Sequence, residues 1–244
     1  MDLITHATPE EPVLDIALSH ALLRDVAAGR RPPAWRLYRP GPTVAFGRLD
    51  ALRPGFPRAA EIAVEHGHMP VVRPAGGHAA VYGPDCLIVE HLTREADVTA
   101  GLEDRFAAQA ALLRDALAGL GADARIGALP GEYCPGAHSI NAGGRIKVAG
   151  IAQRAIRHGA LTTAVVVVGA GAALRALIAE LYGALELETD PATAGSLDEA
   201  LPGATPEQVA AAILERSPDA LTPAAIGPAE LAAARALAPR HRIG

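Results

Sequence analysis

Apolar residues first recur at helical spacing at Val13, Ile16, Ala17, Ala21 and Leu22, which predicts a helix over Pro12 to Ala28. Glu10 and Glu11 sit where the positive end of its macrodipole favours acids. Two short extended runs, Trp35 to Tyr38 and Thr43 to Phe46, flank the turn chemistry of Pro40-Gly41-Pro42 and read as two short strands. A helix over Pro57 to His66 is stopped by Gly67, a strand follows at Pro70 to Arg73, and extended structure resumes at His78 to Val81. Leu87 to Leu92 is a strand. Gly101 to Leu120 is a long amphipathic helix with Leu102, Phe106, Ala110, Leu113 and Leu117 on one face and Gly121 as its stop. Ile140, Ile146 to Gln153 and Leu161 to Val168 add sheet. Ala164 to Val168 is β-branched and wholly apolar and so belongs at the sheet centre. Helices are expected again at Ala172 to Tyr182, at Thr205 to Glu215 with Thr205 as N-cap, and at Pro228 to Ala238. Strands and helices mixed without a regular βαβ rhythm indicate an α+β protein, a mixed sheet with packed helices.

The 244 residues, 50% of them hydrophobic, suffice for one full core. Aromatics are only 3%, so that core is aliphatic and alanine-rich and there is no platform for stacking bases. A net charge of −5 without a run of basic residues argues against a nucleic-acid partner. The N-terminus has an acid where a secretion signal would be basic, and the most apolar run, Thr163 to Ala172, is far short of the roughly 20 residues of a membrane span. A cytoplasmic location without membrane association is therefore expected. Cys86 and Cys134 show no metal-ligand spacing, and neither a metal site nor a structural disulfide is expected.

Of 22 Lys+Arg residues, Lys147 is the only lysine. An ammonium is a compact donor that can release its proton, which an arginine cannot do at neutral pH, so Lys147 is a candidate for chemistry rather than for surface charge alone. It lies in the extended run Gly143 to Arg154, where Gly150 lets a ligand or another backbone approach. Thirteen residues upstream, Cys134 sits in the turn Gly131-Glu132-Tyr133-Cys134-Pro135-Gly136. A free cysteine is by default a small core hydrophobe, and Cys86, which opens an apolar strand, fits that description. Cys134 fits a surface turn, where a neighbouring ammonium would favour the thiolate. A third segment, Arg73-Pro74-Ala75-Gly76-Gly77-His78-Ala79-Ala80-Val81-Tyr82, carries a Gly-Gly loop after a strand.

Together these segments resemble the lipoate/octanoate protein ligase and acyltransferase family, whose relatives by fold are the biotin ligases. The Arg-x-x-Gly-Gly loop and the Gly-Arg-x-Lys-x-x-Gly-x-x-Gln strand carry the resemblance. Leu14-Asp15, Trp35 to Tyr38 and Thr43 to Arg48 look like the family's N-terminal hairpin. The Tyr-Cys-Pro-Gly turn followed by Lys-Val-Ala-Gly-Ile-Ala-Gln-Arg is most similar to the cysteine-dependent octanoyltransferases. His78 stands where the ligases usually have a third glycine.

The resemblance implies a catalytic domain of this type over residues 1–188, with a linker and short helical extension over 189–244. It implies acyl transfer of an octanoyl or lipoyl group from a carrier protein to a lipoyl-domain lysine. Cys134 would be the nucleophile and Lys147 the oxyanion donor and proton shuttle. Arg73, Gly76, Gly77, His78, Tyr82, Gly150 and Gln153 would bind substrate, with Val81, Val148, Ala149 and Ile151 as walls of an acyl tunnel. Arg154 is expected in a solvated ion pair. The carrier partners implied are the glycine-cleavage carrier protein, the acyltransferase subunits of 2-oxoacid dehydrogenases, or acyl carrier protein. No cofactor is required on this reading. ATP and magnesium enter only for the alternative, a lipoate ligase working through an acyl-adenylate, and a non-catalytic binder of acylated carriers is a third possibility. With the ammonium placed at the mouth of the pocket, replacing Lys147 is expected to leave folding nearly unaffected.

Overall fold

The computed structural model describes residues 1–243. In chain order the elements are β1 (Asp2–Ile4), α1 (Pro12–Ala27), β2 (Ala34–Tyr38), β3 (Thr43–Phe46), α2 (Phe56–Glu65), β4 (Met69–Val72), β5 (Ala80–Tyr82), β6 (Cys86–Arg94), α3 (Leu102–Gly119), β7 (Ala124–Ile126), β8 (Ile140–Ala142), β9 (Ile146–Ile156), β10 (Gly159–Val167), α4 (Gly171–Ala184), α5 (Pro206–Arg216), β11 (Thr222–Pro223) and α6 (Pro228–Leu237). The main sheet runs β11-β1-β2-β6-β10-β9-β8-β7, and a second sheet runs β4-β3-β5. Pairing in the main sheet is antiparallel from β2 to β7 and parallel only where β1 meets β2 and β11. This is the α+β architecture expected from the pattern, a mixed sheet with packed helices, and its pairing is largely antiparallel.

Strand β10 lies between β6 and β9, as its apolar run predicts. Its Leu161, Val165 and Val167 face one aliphatic core with α1 and α4, while Ala164, Val166 and Val168 face another with α3 and α5. Both faces are covered, so period-2 alternation of polar residues is absent there. In α3 the predicted stripe divides. Ala110, Leu113 and Leu117 are buried in the second core, whereas Leu102 and Phe106 at its first turns line a cavity.

One expectation needs correction. The runs around Pro40-Gly41-Pro42 do not pair: β2 joins β1 and β6, and β3 joins β4 and β5. The reason is tertiary, because Gly41 is pressed against the Pro9 carbonyl and a Cβ there would lie 2.1 Å from that oxygen. The chain is thus held in a crossing between two sheets rather than in a hairpin. The short strands β1, β7 and β11 carry no periodic signal and were not foreseen. Beyond Leu187 the chain packs back on the body: β11 pairs with β1, α5 packs on α3, and α6 packs on α1. Among the described residues no helix is long and apolar enough to cross a membrane.

A buried polar knot ties α1 to the sheet. Arg36 on β2 stands opposite Glu90 on β6. Its guanidinium pairs with Asp15 of α1, donates to Ser19 Oγ at 2.9 Å and reaches the His6 carbonyl at 3.0 Å. Ser19 in turn donates to Glu90 at 2.7 Å. Burial pushes the Glu90 carboxyl upward, and Arg36 and the Ser19 hydroxyl pull it back. Removing one partner of such a pair leaves an uncompensated buried charge, which costs roughly 3–5 kcal/mol. Arg36→Ala should accordingly lose stability of that order in urea unfolding, and a loss within about 0.5 kcal/mol, typical of an exposed site, would contradict the buried pair.

Candidate active site

The loop 127–139 is a turn wound around one carboxylate. Glu132 is buried, and its Oε1 accepts from Lys147 Nζ at 3.0 Å, from the Gly136 N–H at 3.3 Å and from the Ser139 hydroxyl, while Oε2 accepts from the Leu129 N–H at 2.8 Å. Lys147 is 1% exposed. Its ammonium donates also to the carbonyls of Tyr133 at 3.0 Å and Cys134 at 2.8 Å, so three N–H bonds meet three oxygens of one turn. Gly150 leaves room for the lysine stem, since a Cβ there would lie 3.3 Å from Lys147 Cε. The glycine thus accommodates a side chain of its own strand while also lining the cavity.

The turn holds Cys134 at φ +43°, a left-handed conformation rare for a residue with a side chain. This aims the thiol at the Gly-Gly loop. Cys134 Sγ accepts from the His78 backbone N–H at 3.2 Å, and Arg73 Nη2 lies 3.7 Å away. The sulfur therefore faces an amide and a guanidinium, while the ammonium grips the carbonyl of the same residue. Arg73 is itself buried, donating to the Tyr82 hydroxyl at 3.1 Å and the His78 carbonyl at 2.7 Å. Gly77, at φ +91°, must be glycine: a Cβ there would stand 2.7 Å from Cys134 Sγ and 2.8 Å from Arg73 Nη2. The His78 ring turns away, to Asp50 Oδ1 at 2.7 Å, and Asp50 Oδ2 accepts from the Gly47 N–H at 2.9 Å.

Arg73, Gly76, Gly77, Tyr82, Cys134, Lys147, Gly150 and Gln153 all line one cavity of about 440 Å³. Its wall is largely apolar, with Leu102, Phe106, Ala80, Ile151 and Val165. His78 joins through its backbone rather than its ring. Gln153 lines the cavity with its amide engaged, donating to the Leu102 carbonyl at 2.8 Å and accepting from Arg105 at 3.1 Å. Of the walls expected for an acyl tunnel, only Ile151 is in place. Val148 and Ala149 lie in the core shared with α3, and Val81 borders a second cavity. Arg154 has no ion pair among the described residues, and its Nε is buried without a partner. The ammonium is not at the cavity mouth but inside the protein, so the expectation that folding ignores it is overturned. Glu132 and Asp50 were missed from the sequence. Glu132 lies in the cysteine turn itself, two residues before Cys134, and the only available signal was an acid in the turn of the candidate nucleophile. Among the described residues no three His, Cys, Asp or Glu side chains are grouped so as to hold a metal ion.

Residues 11–216 match the family model described as lipoyl protein ligase A/B catalytic domain. An octanoyl-GcvH:protein N-octanoyltransferase of Geobacillus kaustophilus is 34% identical over 167 residues, covering 68% of this chain and 59% of that protein. A protein of the same name from Exiguobacterium sibiricum is 33% identical over 172 residues, covering 65% of this chain and 61% of that one. The chain thus spans about three fifths of the length of these relatives. Among solved structures, a T. acidophilum protein of the lipoate protein ligase type with bound lipoic acid superposes with a TM-score of 0.77 at 19% identity, covering 98% of this chain and 95% of that one. That likeness concerns the fold.

Burial pushes the Cys86 thiol up to about 12, so it stays protonated at neutral pH, whereas Cys134 is partly exposed at the cavity. Iodoacetamide at pH 7.5 should alkylate Cys134 and leave Cys86 unmodified; peptide mass spectrometry reads the outcome, and equal labelling would contradict the placement. Lys147→Ala leaves Glu132 as a buried unpaired carboxylate and should destabilise by about 3–5 kcal/mol. Chemical denaturation checks this, and an unchanged midpoint would refute the role given to the pair.

Proposed function

This chain belongs to the lipoyl protein ligase A/B catalytic-domain family, and we propose that within it the protein is a cysteine-dependent acyltransferase moving an octanoyl group from one carrier-protein lysine to another. The observation that carries this reading is the position of Cys134 Sγ, held in the cavity between the His78 N–H at 3.2 Å and the Arg73 guanidinium at 3.7 Å. An amide donor and a guanidinium fix the sulfur at the cavity wall, where it can meet the carbonyl carbon of a bound acyl group as a nucleophile.

The thiolate attacks the carbonyl carbon of the octanoyl-lysine amide, whose oxygen takes up the negative charge. Collapse breaks the C–N bond, and the departing amine takes a proton. The octanoyl thioester of Cys134 then meets the amine of a second carrier lysine, which displaces the thiolate and forms the new amide. Lys147, one residue's carbonyl away from the reacting sulfur and backed by Glu132, is the group suited to supply and recover the proton. The largely apolar cavity of about 440 Å³ suits a medium-length chain, each buried methylene adding about 0.8 kcal/mol until the wall is reached. The relatives' names support a GcvH-type donor, and the lysines of lipoyl domains are the acceptors in this reading. The protein acts in the cytoplasm, where these carriers are found on this reading.

Mixing the protein with octanoyl-GcvH without ATP should add one octanoyl group to Cys134, seen by mass spectrometry of the trapped thioester. Cys134→Ala should form no adduct and lose transfer. Full transfer by that variant, or a requirement for ATP and magnesium, would replace this reading by the acyl-adenylate ligase. Lys147→Arg should fall by on the order of a hundredfold or more, because the fork cannot release a proton. Near-normal turnover there would remove the proton-transfer role. Across acyl chains of six, eight and twelve carbons the rate should peak at eight, and equal rates would rule out a closed cavity.

A further inference from the structure

Most arginines of the chain that lie near acids are paired with them, as Arg30 is with Asp25 and Arg58 with Glu65. Four that have no carboxylate within ion-pair distance among the described residues come together from distant parts of the sequence. His20 and Arg24 lie one turn apart on the same face of α1. His20 Nδ1 is 3.1 Å from His241 Nε2, which brings Arg240 beside them. His241 is pinned to β4, its Nδ1 2.8 Å from the Val72 carbonyl and its own carbonyl accepting from the Val72 N–H at 2.8 Å, directly before Arg73. On β9 the alternating residues Gly150, Ala152 and Arg154 share a face. The first two line the Cys134 cavity, so Arg154 continues that face beyond it.

Arg48 completes the group from the end of β3. The fields of Arg24, Arg154 and Arg240 reach His20, and those of Arg48 and Arg240 reach His241. Burial first, and then His241, Arg24, Arg154 and Arg240, lower His20 to about 4, so at neutral pH its imidazole is uncharged and the face owes its charge to arginine. Arg24, Arg48 and Arg240 are exposed. The segment that carries Arg48 also carries Leu49 and Leu52, exposed by 69% and 79%, on the turn whose Asp50 holds His78. A protein with net charge −5 thus presents a locally basic face, with two bare leucines on the turn that holds His78 and packs through Gly47 on the cavity-lining Gly77.

We propose that this face of Arg24, Arg48, Arg154 and Arg240 with Leu49 and Leu52 docks an acidic surface of the carrier domain whose acyl-lysine enters the Cys134 cavity. The proposal rests on the acyl-transfer reading for the identity of the partner. Unpaired arginines steer an acidic partner and set the salt dependence of its encounter, and exposed leucines supply the dry contact that charge alone lacks. Bare nucleic acid would use the arginines but not the leucines.

The test is a binding measurement that requires no chemistry: titration calorimetry of unacylated GcvH against the unsubstituted protein, Arg24→Glu/Arg240→Glu and Leu49→Ser, each at 50 and 200 mM salt. The charge reversals should weaken binding about tenfold or more and flatten its salt dependence. Leu49→Ser should weaken it at both salt concentrations alike. The alkylation rate of Cys134 and the melting temperature should stay as in the unsubstituted protein. Equal affinity in all three proteins, no binding by the unsubstituted one, or a loss accompanied by altered Cys134 alkylation would each overturn the docking face. Acyl transfer to Cys134 is scored separately, with a small uncharged octanoyl thioester as donor. Failure there alone sinks the acyl-transfer reading while the binding result still decides the face.

Discussion

Three N–H bonds of the Lys147 ammonium end on three oxygens of one turn, and the placement of the thiol follows from that. The turn needs Cys134 at a positive φ, a conformation that an isolated peptide would abandon. Two backbone carbonyls bound to a buried cation, and a carboxylate shared among the lysine, a hydroxyl and two amides, over-determine the turn enough to keep it there. The cation is satisfied only because Glu132 neutralises it, and Glu132 is satisfied only because the loop 129–139 wraps it. Stability and the geometry of the nucleophile are therefore one problem here, since taking away either charge leaves its partner buried and unpaired.

The other half of the site is built by close approach of backbones. Gly47 and Gly77 touch so tightly that a Cβ on Gly47 would fall 1.8 Å from the Gly77 carbonyl oxygen. That contact brings the Gly-Gly loop down on the cysteine and presents the His78 N–H to its sulfur. Asp50 clamps the loop from the far side through the Gly47 N–H and the His78 ring. Arg73 closes the ring of contacts by linking the loop carbonyl, Tyr82 and the thiol. Two rigid segments from different sheets thus meet at one sulfur, which is the arrangement a covalent catalyst requires if its nucleophile is to be held before substrate arrives.

The sequence by itself determined the elements with strong local signals. The period-3.6 stripes of α1 and α3, the Thr205 cap of α5, and the unbroken apolar run of β10 each follow from interactions within a few residues or from burial on both faces, and all are found. Cys134, Lys147, Arg73 and the two glycines were singled out in the chain by residue type and by the family resemblance, and the fold brings them to one cavity. Tertiary structure alone decided the rest. Whether Lys147 is solvated or buried depends on where Glu132 lies in space, and whether Val148 or Ile151 faces the cavity depends on register. The route through Pro40-Gly41-Pro42 was set by the distant Pro9 carbonyl, and the arginine face was assembled from residues 24, 48, 154 and 240. Local periodicity encodes what a segment becomes. Which charge meets which across long sequence separations is fixed only when the sheets have closed, for only then does burial make an unpaired group too costly to keep.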